Sequence, residues 1–359
     1  MKKKLLALAV GAAIAAPVSA LANAELYGRI NLSIDHVDGP EVLGAAPAGV
    51  TPLGVDSGTY QLNSNKSFFG VRGGAELTGG LRGFYQLEFG VNVDEGVTGD
   101  DLLFTRNSFV GLESGFGSVQ AGRFDTPLRV MAAHVDQFRD VRYADFSNIV
   151  AGDWRADNII QYTSPKIADM LTIAVATVAP EGDDATDSGS VNNKLFDTLS
   201  ISAIMEFGDF YAGLGYDKNN YGNSGDNGFY ISDGVFVGSN IANGDLGDSN
   251  DIYRIVAGAS IDAFEVGLLL QQAEDVNDSD NKNRSFLLSA GFELTDVVKL
   301  KAQYGETDFR ATDVKARQAT IGADYMLGQQ TKTFIYTTRQ EVDGDRHFAV
   351  VGIGAEHRF

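Results

Sequence analysis

What most constrains this chain is a two-residue alternation of apolar and polar side chains that recurs along nearly its whole length. In 25–35 (ELYGRINLSID), Leu26, Gly28, Ile30, Leu32 and Ile34 fall on one face and Tyr27, Arg29, Asn31, Ser33 and Asp35 on the other. In 67–77, Phe69, Val71, Ala75 and Leu77 oppose Phe68, Arg72 and Glu76, and in 81–89, Leu81, Tyr85, Leu87 and Phe89 oppose Arg82, Gln86 and Glu88. Period two belongs to β-strands, and one apolar face against one polar face describes a sheet wetted on one side. Similar segments follow at 103–113, 117–123, 157–164, 170–178, 195–207, 209–217, 251–261, 263–272, 284–294, 298–306, 315–326, 332–340 and 346–359, giving about sixteen strands.

The connections alternate in length. Short ones fall at 78–80, 114–116, 208, 262 and 295–297; long ones at 36–66, 123–156, 179–194, 218–250 and 273–283. Short turns on one rim and long loops on the other mark an outer-membrane barrel. A closed barrel also leaves no unpaired strand edge in lipid. The expected fold is therefore all-β, a transmembrane antiparallel β-barrel over 25–359. Closure requires 346–359 to pair with 25–35, and Phe359, a terminal aromatic in the interfacial girdle, is the candidate C-terminal assembly signal.

Lys2, Lys3 and Lys4, an apolar stretch over 5–18 and Ala22-Asn23-Ala24 read as a secretory signal peptide, 1–24. Beyond it, no apolar run approaches the roughly twenty residues of a transmembrane helix. The chain has no cysteine, which removes disulfides and thiol chemistry. Its formal charge of −20 argues against nucleic-acid binding through a basic face. The four histidines are scattered, and no phosphate-binding or metal-ligand spacing occurs, so neither an enzyme nor a cofactor is expected. The acidic stretches 243–251 and 275–283 lack the glutamate and flanking helices of a calcium loop. They read as solvated loops able to meet lipopolysaccharide through divalent cations.

One connection is unlike the others. The 123–155 stretch is far longer than a hairpin needs. It carries Leu128, Val130, Met131, Phe138, Tyr143, Phe146, Ile149 and the only tryptophan, Trp154, interleaved with Asp125, Arg129, Asp136, Arg139, Asp140, Arg142, Asp145 and Asp153. That composition predicts a loop folded inward, its apolar side on a wall and its charges facing a water-filled passage.

Five stretches in this order carry a family resemblance: ELYGRINLSID, FFGVRGGAELTGGLRGFYQLEFG (68–90), RNSFVGLESGFGSVQAGRFDTP (106–127), DNIIQYTSP (157–165) and GAEHRF (354–359). With them the chain resembles the Gram-negative general porins, the trimeric sixteen-stranded group that includes neisserial-type porins. The resemblance implies a passive diffusion channel for ions and small hydrophilic solutes in the outer membrane. It implies a third loop, here 123–156, that folds into the lumen as the constriction. It also implies a homotrimer, with Gly28, Ile30, Val351 and Ile353 on the contact face and a second loop, 90–101, reaching the neighbour.

Charge at a narrow point selects ions. Strand parity turns Arg29, Arg72 and Arg82 to the lumen, and with Arg123 they form the candidate basic wall of the constriction. Asp125, Asp136, Asp140 and Asp145 form its candidate acidic side. Screening over about 8 Å gives nearby charges the larger weight. The acidic vestibule loops nevertheless tip the expected balance to cations. A substrate-specific channel and a non-conducting structural or adhesive barrel are the competing readings; the latter predicts a plugged lumen.

Overall fold

The structure, a computed structural model, describes residues 24–39, 58–95, 103–179, 196–220, 229–232, 235–238, 249–310, 313–342 and 346–359. The signal-peptide reading and most of the long acidic connections, 180–195 and 239–248 among them, lie outside the described residues.

Twenty strands are described, in the order β1 (Glu25–Asp38), β2 (Thr59–Ser64), β3 (Phe68–Glu76), β4 (Arg82–Val91), β5 (Leu103–Thr105), β6 (Ser108–Ser114), β7 (Gly117–Asp125), β8 (Arg155–Thr163), β9 (Leu171–Val178) and β10 (Leu199–Phe207). They continue with β11 (Phe210–Asn220), β12 (Phe229–Ser232), β13 (Val235–Gly238), β14 (Asn250–Ile261), β15 (Phe264–Asp275), β16 (Lys282–Thr295), β17 (Val298–Phe309), β18 (Val314–Met326), β19 (Thr331–Val342) and β20 (Arg346–Arg358). β12 and β13 form a separate hairpin; the other eighteen make one antiparallel sheet. β2 and β3 both pair with β1, and β5 and β6 both pair with β4, so each couple fills one place and the barrel has sixteen positions. It closes through β1 and β20, in register from Arg29 opposite Arg358 to Asp38 opposite Ala349.

The sequence reading differs from this at three places. The 36–66 connection contains β2, the 103–113 segment breaks into β5 and β6 around Arg106 and Asn107, and the 273–283 connection shrinks because β15 and β16 extend into it.

Burial is the inverse of a water-soluble protein. Ile34, Leu214, Val266, Ile321, Ile335 and Val351 stand exposed on the outside, while Asn31, Ser33, Asp35, Thr320 and Thr338 are buried on the inside. Apolar groups facing out need hydrocarbon around them, and the polar lining needs water or polar partners within.

The main apolar cluster does not lie between sheets. It joins residues of the β7–β8 connection, including Leu128, Met131, Val135, Phe138, Tyr143 and Ile149, to barrel residues such as Ile252, Val256, Leu269, Leu287 and Tyr336. Burying each large side chain contributes about 1.5–3 kcal/mol, enough together to hold an otherwise irregular segment against the strands.

Candidate functional site

The β7–β8 connection begins with a short helix, α1 (Pro127–Met131). Proline opens it where no N–H is needed, and the Thr126 hydroxyl caps it by accepting from the Arg129 N–H at 3.3 Å. Two 3₁₀ turns follow, Ala132–His134 and Phe146–Asn148, the second capped by the Asp145 carboxylate. At the root, the Thr126 N–H donates to the Trp154 carbonyl at 3.0 Å. Asp125 pairs with Arg155 at 2.8 Å and Arg129 at 3.4 Å, and Arg129 pairs with Asp153 at 2.6 Å. A register shift in the β7–β8 pair between Gly122 and Phe124 marks a bulge beside this root.

From there the segment runs along the lumen side of the later strands, where glycines make room for its apolar side chains. A Cβ on Gly215 would stand 2.9 Å from Leu128, on Gly213 3.1 Å from Met131, and on Gly267 3.0 Å from Val135. On Gly305 it would stand 3.0 Å from Ile149, and on Gly322 2.9 Å from Phe138. Between these seats, strand side chains donate to the segment's carbonyls. Arg254 reaches Leu128 at 3.0 Å and Ala151 at 2.6 Å, Gln271 reaches Ala151 at 2.9 Å, and Gln318 reaches Ala144 at 2.7 Å. Thr307 donates to Ile149. The irregular backbone thereby finds partners on the wall that it does not find in itself.

The other side of the segment faces β1 and the break between β2 and β3. Arg29 pairs with Asp140 at 2.9 Å, both nearly buried, and also donates to the Lys66 carbonyl at 3.0 Å. Lys66 reaches Asp145 at 3.2 Å, Asp140 at 3.7 Å and Asp153 at 3.9 Å. The Arg142 N–H donates to Asn65 at 2.9 Å. Beside them Arg106 pairs with Glu88 at 2.8 Å, and the guanidinium groups of Arg29 and Arg106 lie over the Phe68 ring at 5.3 and 4.9 Å.

Burial pushes the Asp140 carboxyl up, but the Arg29 guanidinium and Lys66 ammonium reverse this and hold it well below the usual carboxylate range. Burial likewise opposes ionisation of Asp145, and Lys66 brings it below its ordinary value. Asp136 goes the other way. It accepts from the N–H groups of Phe138 at 3.0 Å and Phe146 at 3.4 Å, and burial together with the negative charge of Asp145 pushes it up to about 8.

The expected basic wall does not assemble as one cluster. Arg29 meets the loop acids. Arg72 pairs with Glu25 at 2.9 Å over the Tyr27 ring, Arg82 pairs with Glu113 at 2.9 Å, and Arg123, at the bulge, pairs with Asp157 at 2.6 Å; all three are substantially exposed. Of the acidic set, Asp140 and Asp145 face Arg29 and Lys66, Asp125 is taken up at the loop root, and Asp136 faces backbone donors. Sequence reasoning missed Lys66 and Arg106. Each lies where a strand is interrupted by polar residues, at Asn65-Lys66 and Arg106-Asn107, and that interruption is the signal available in the sequence.

The Phe359 N–H and carbonyl exchange hydrogen bonds with Gly28 at 3.1 and 2.9 Å, and its ring covers that glycine. The terminal residue thus sits against the first strand.

Residues 7–345 match the family model described as Gram-negative porin. The outer membrane porin protein 32 of Delftia acidovorans is 27% identical over 352 residues, covering 93% of this chain and 88% of that one. The major outer membrane protein P.IB of Neisseria meningitidis serogroup A is 25% identical, with both chains covered fully. Among solved structures, the trimer form of Vibrio cholerae OmpT, an outer membrane protein, superposes with a TM-score of 0.60 at 16% identity, covering 94% of this chain and 99% of that one; this likeness concerns the fold alone.

Proposed function

The chain belongs to the Gram-negative porins, and from this premise we propose how its outer-membrane diffusion channel is narrowed and charged. It is a multi-pass β-barrel of the outer membrane and conducts small hydrophilic solutes passively. In the proposal, the 123–156 loop forms the constriction and Arg29 carries its basic side. Asp140 and Asp145 form the acidic side. The observation behind this is the Arg29–Asp140 pair at 2.9 Å, which links the first strand to a loop rooted between β7 and β8. Facing rows of opposite charge set up a transverse field that orients polar solutes and penalises apolar ones, which must displace ordered water. Arg72 and Arg82 line the approach to this point in the proposal; Arg123, opposite Ser108 on the face that carries the exposed Val110 and Leu112, belongs to the outer side and not to the basic wall expected from the sequence.

The channel works as a homotrimer in this reading, supported by the trimer form of the Vibrio cholerae relative in fold and by the outward apolar positions Ile30, Val351 and Ile353. The signal peptide 1–24 is removed, Phe359 serves as the C-terminal assembly signal, and the acidic external loops meet lipopolysaccharide through divalent cations and favour cation entry. Planar-bilayer conductance of the purified protein, with reversal potential in a salt gradient, tests the proposal. Steps grouped in threes and a selectivity change in Arg29→Ser support it; a folded barrel without steps sinks it.

A further inference from the structure

Lys66 lies between the end of β2 and the start of β3, with φ at 50°, a left-handed conformation that a lysine adopts only where its surroundings hold it. Its carbonyl is tied to Arg29, and its ammonium projects into a cavity shared with Asp140, Asp145, Asp153, Arg129 and Arg139. Three carboxylates converge on the Lys66 Nζ at 3.2 to 3.9 Å. They are not equally dependent on it. Asp140 also has Arg29 at 2.9 Å, and Asp153 has Arg129 at 2.6 Å. Among the described residues, Lys66 is the ion-pair partner of Asp145, whose other contacts are hydrogen bonds from the N–H groups of Asp140 and Ser147 and from the Ser147 hydroxyl.

We propose that Lys66 is a specificity-determining residue of the passage, a tethered cation that masks the charge of Asp145 from permeating ions. This rests on the channel reading and deepens it. A mobile cation attracted to the same carboxylates would linger there; an ammonium fixed to the wall occupies the place permanently and leaves the constriction less cation-attracting. Removing the ammonium leaves Arg29 on Asp140 and Arg129 on Asp153, so the change is confined to about one uncovered charge. A single negative charge about 6 Å from an ion in water raises the local concentration of a cation about threefold and lowers that of an anion about threefold.

The chain has no cysteine, so Lys66→Cys carries the sole thiol. The expected result is a cation-to-anion permeability ratio about ninefold above the native value, because the same Coulomb estimate raises cations and lowers anions about threefold each. Aminoethyl methanethiosulfonate, which restores an ammonium on a chain of lysine-like length, then returns the ratio to native in the same channels. Lys66→Met shows the same rise and no response to the reagent, which separates loss of the ammonium from any effect of the new thiol. An unchanged ratio in both variants, or complete labelling by mass without recovery, overturns the proposal. Absence of conductance in the native protein would overturn the channel reading instead.

Discussion

The ring of Phe138, near the far end of the β7–β8 loop, rests on Gly322 of β18, where a Cβ would stand 2.9 Å from it. The contact joins the loop to a strand far from its root, and the glycine makes it possible.

Gly322→Leu should therefore lift the loop from its seat. The side chain would occupy the place of Phe138, whose burial contributes about 1.5–3 kcal/mol. Single-channel conductance should rise, and because the same Cβ would stand 2.6 Å from the Ile335 carbonyl of β19, the temperature at which the folded species is lost should fall as well. Gly328→Leu is the control, because a Cβ there meets nothing within 4 Å. Equal conductance in the two variants would detach the glycine seat from loop position.

Arg29→Ser and Arg72→Ser should separate by position. Arg29 is nearly buried against Asp140, and stripping one partner from a buried pair costs about 3–5 kcal/mol. Arg72 pairs with Glu25 in the open, where solvent screens the interaction. Thermal unfolding in detergent should drop for Arg29→Ser and stay near native for Arg72→Ser. The reversal potential should move toward cation preference more in the first.

Asp136 and Asp140 give opposite pH dependence. Asp136 is raised to about 8, so the folded loop keeps a proton that the unfolded chain gives up near its ordinary 3.8. Stability from this group is full below that ordinary value and declines as pH rises toward 8, at about 1.4 kcal/mol per pH unit. Asp136→Asn, which mimics the neutral carboxyl, should flatten the decline in a heat-modifiability series from pH 5 to 9. Asp140 is depressed, so its contribution is present above the ordinary value and lost as pH falls through its folded one. Asp140→Asn should remove that acid-side loss.

Arg254→Met tests the carbonyl anchors. Arg254 is fully buried and donates to Leu128 and Ala151. Its loss leaves the Leu128 carbonyl without this donor, at about 1–3 kcal/mol, while Ala151 keeps Gln271. Open-channel current noise should increase as the loop root loosens, and proteolysis should cut within 127–152 first.

The barrel was legible because alternation is local: whether Ile34 or Asp35 faces out can be read from neighbours in the chain. The closing pairing of β1 with β20 followed from the need for a closed edge, though its register did not. Parity, however, fixes a face and not a height. Arg72 shares the inward face of its strand with Phe68, yet it pairs opposite Glu25, the first residue of β1, whereas Arg29 lies opposite Phe68. That difference separates an exposed pair from a buried one, and only the register supplies it. Gln318 and Thr307 were likewise unreadable. A polar residue on a strand looks the same whether it faces water or a loop carbonyl, and its partner lies more than a hundred residues away. The strand breaks that free Lys66 and Arg106 also depend on neighbours, since β2 and β3 are defined by sharing β1.

The pairing of β20 with β1, completed by Phe359 against Gly28, sets an order in time. β20 follows every other strand of the sheet in chain order and pairs with the first, so the sheet cannot close before β20 has been made. Until Phe359 arrives, β1 keeps a bare row of backbone donors and acceptors, and so does whichever strand was made last. A chain stopped one strand short would carry both edges indefinitely, and another copy could pair with either. Arrival of β20 is thus a checkpoint for this molecule, and a chain cut before it is a template for aggregation instead of a closed cylinder.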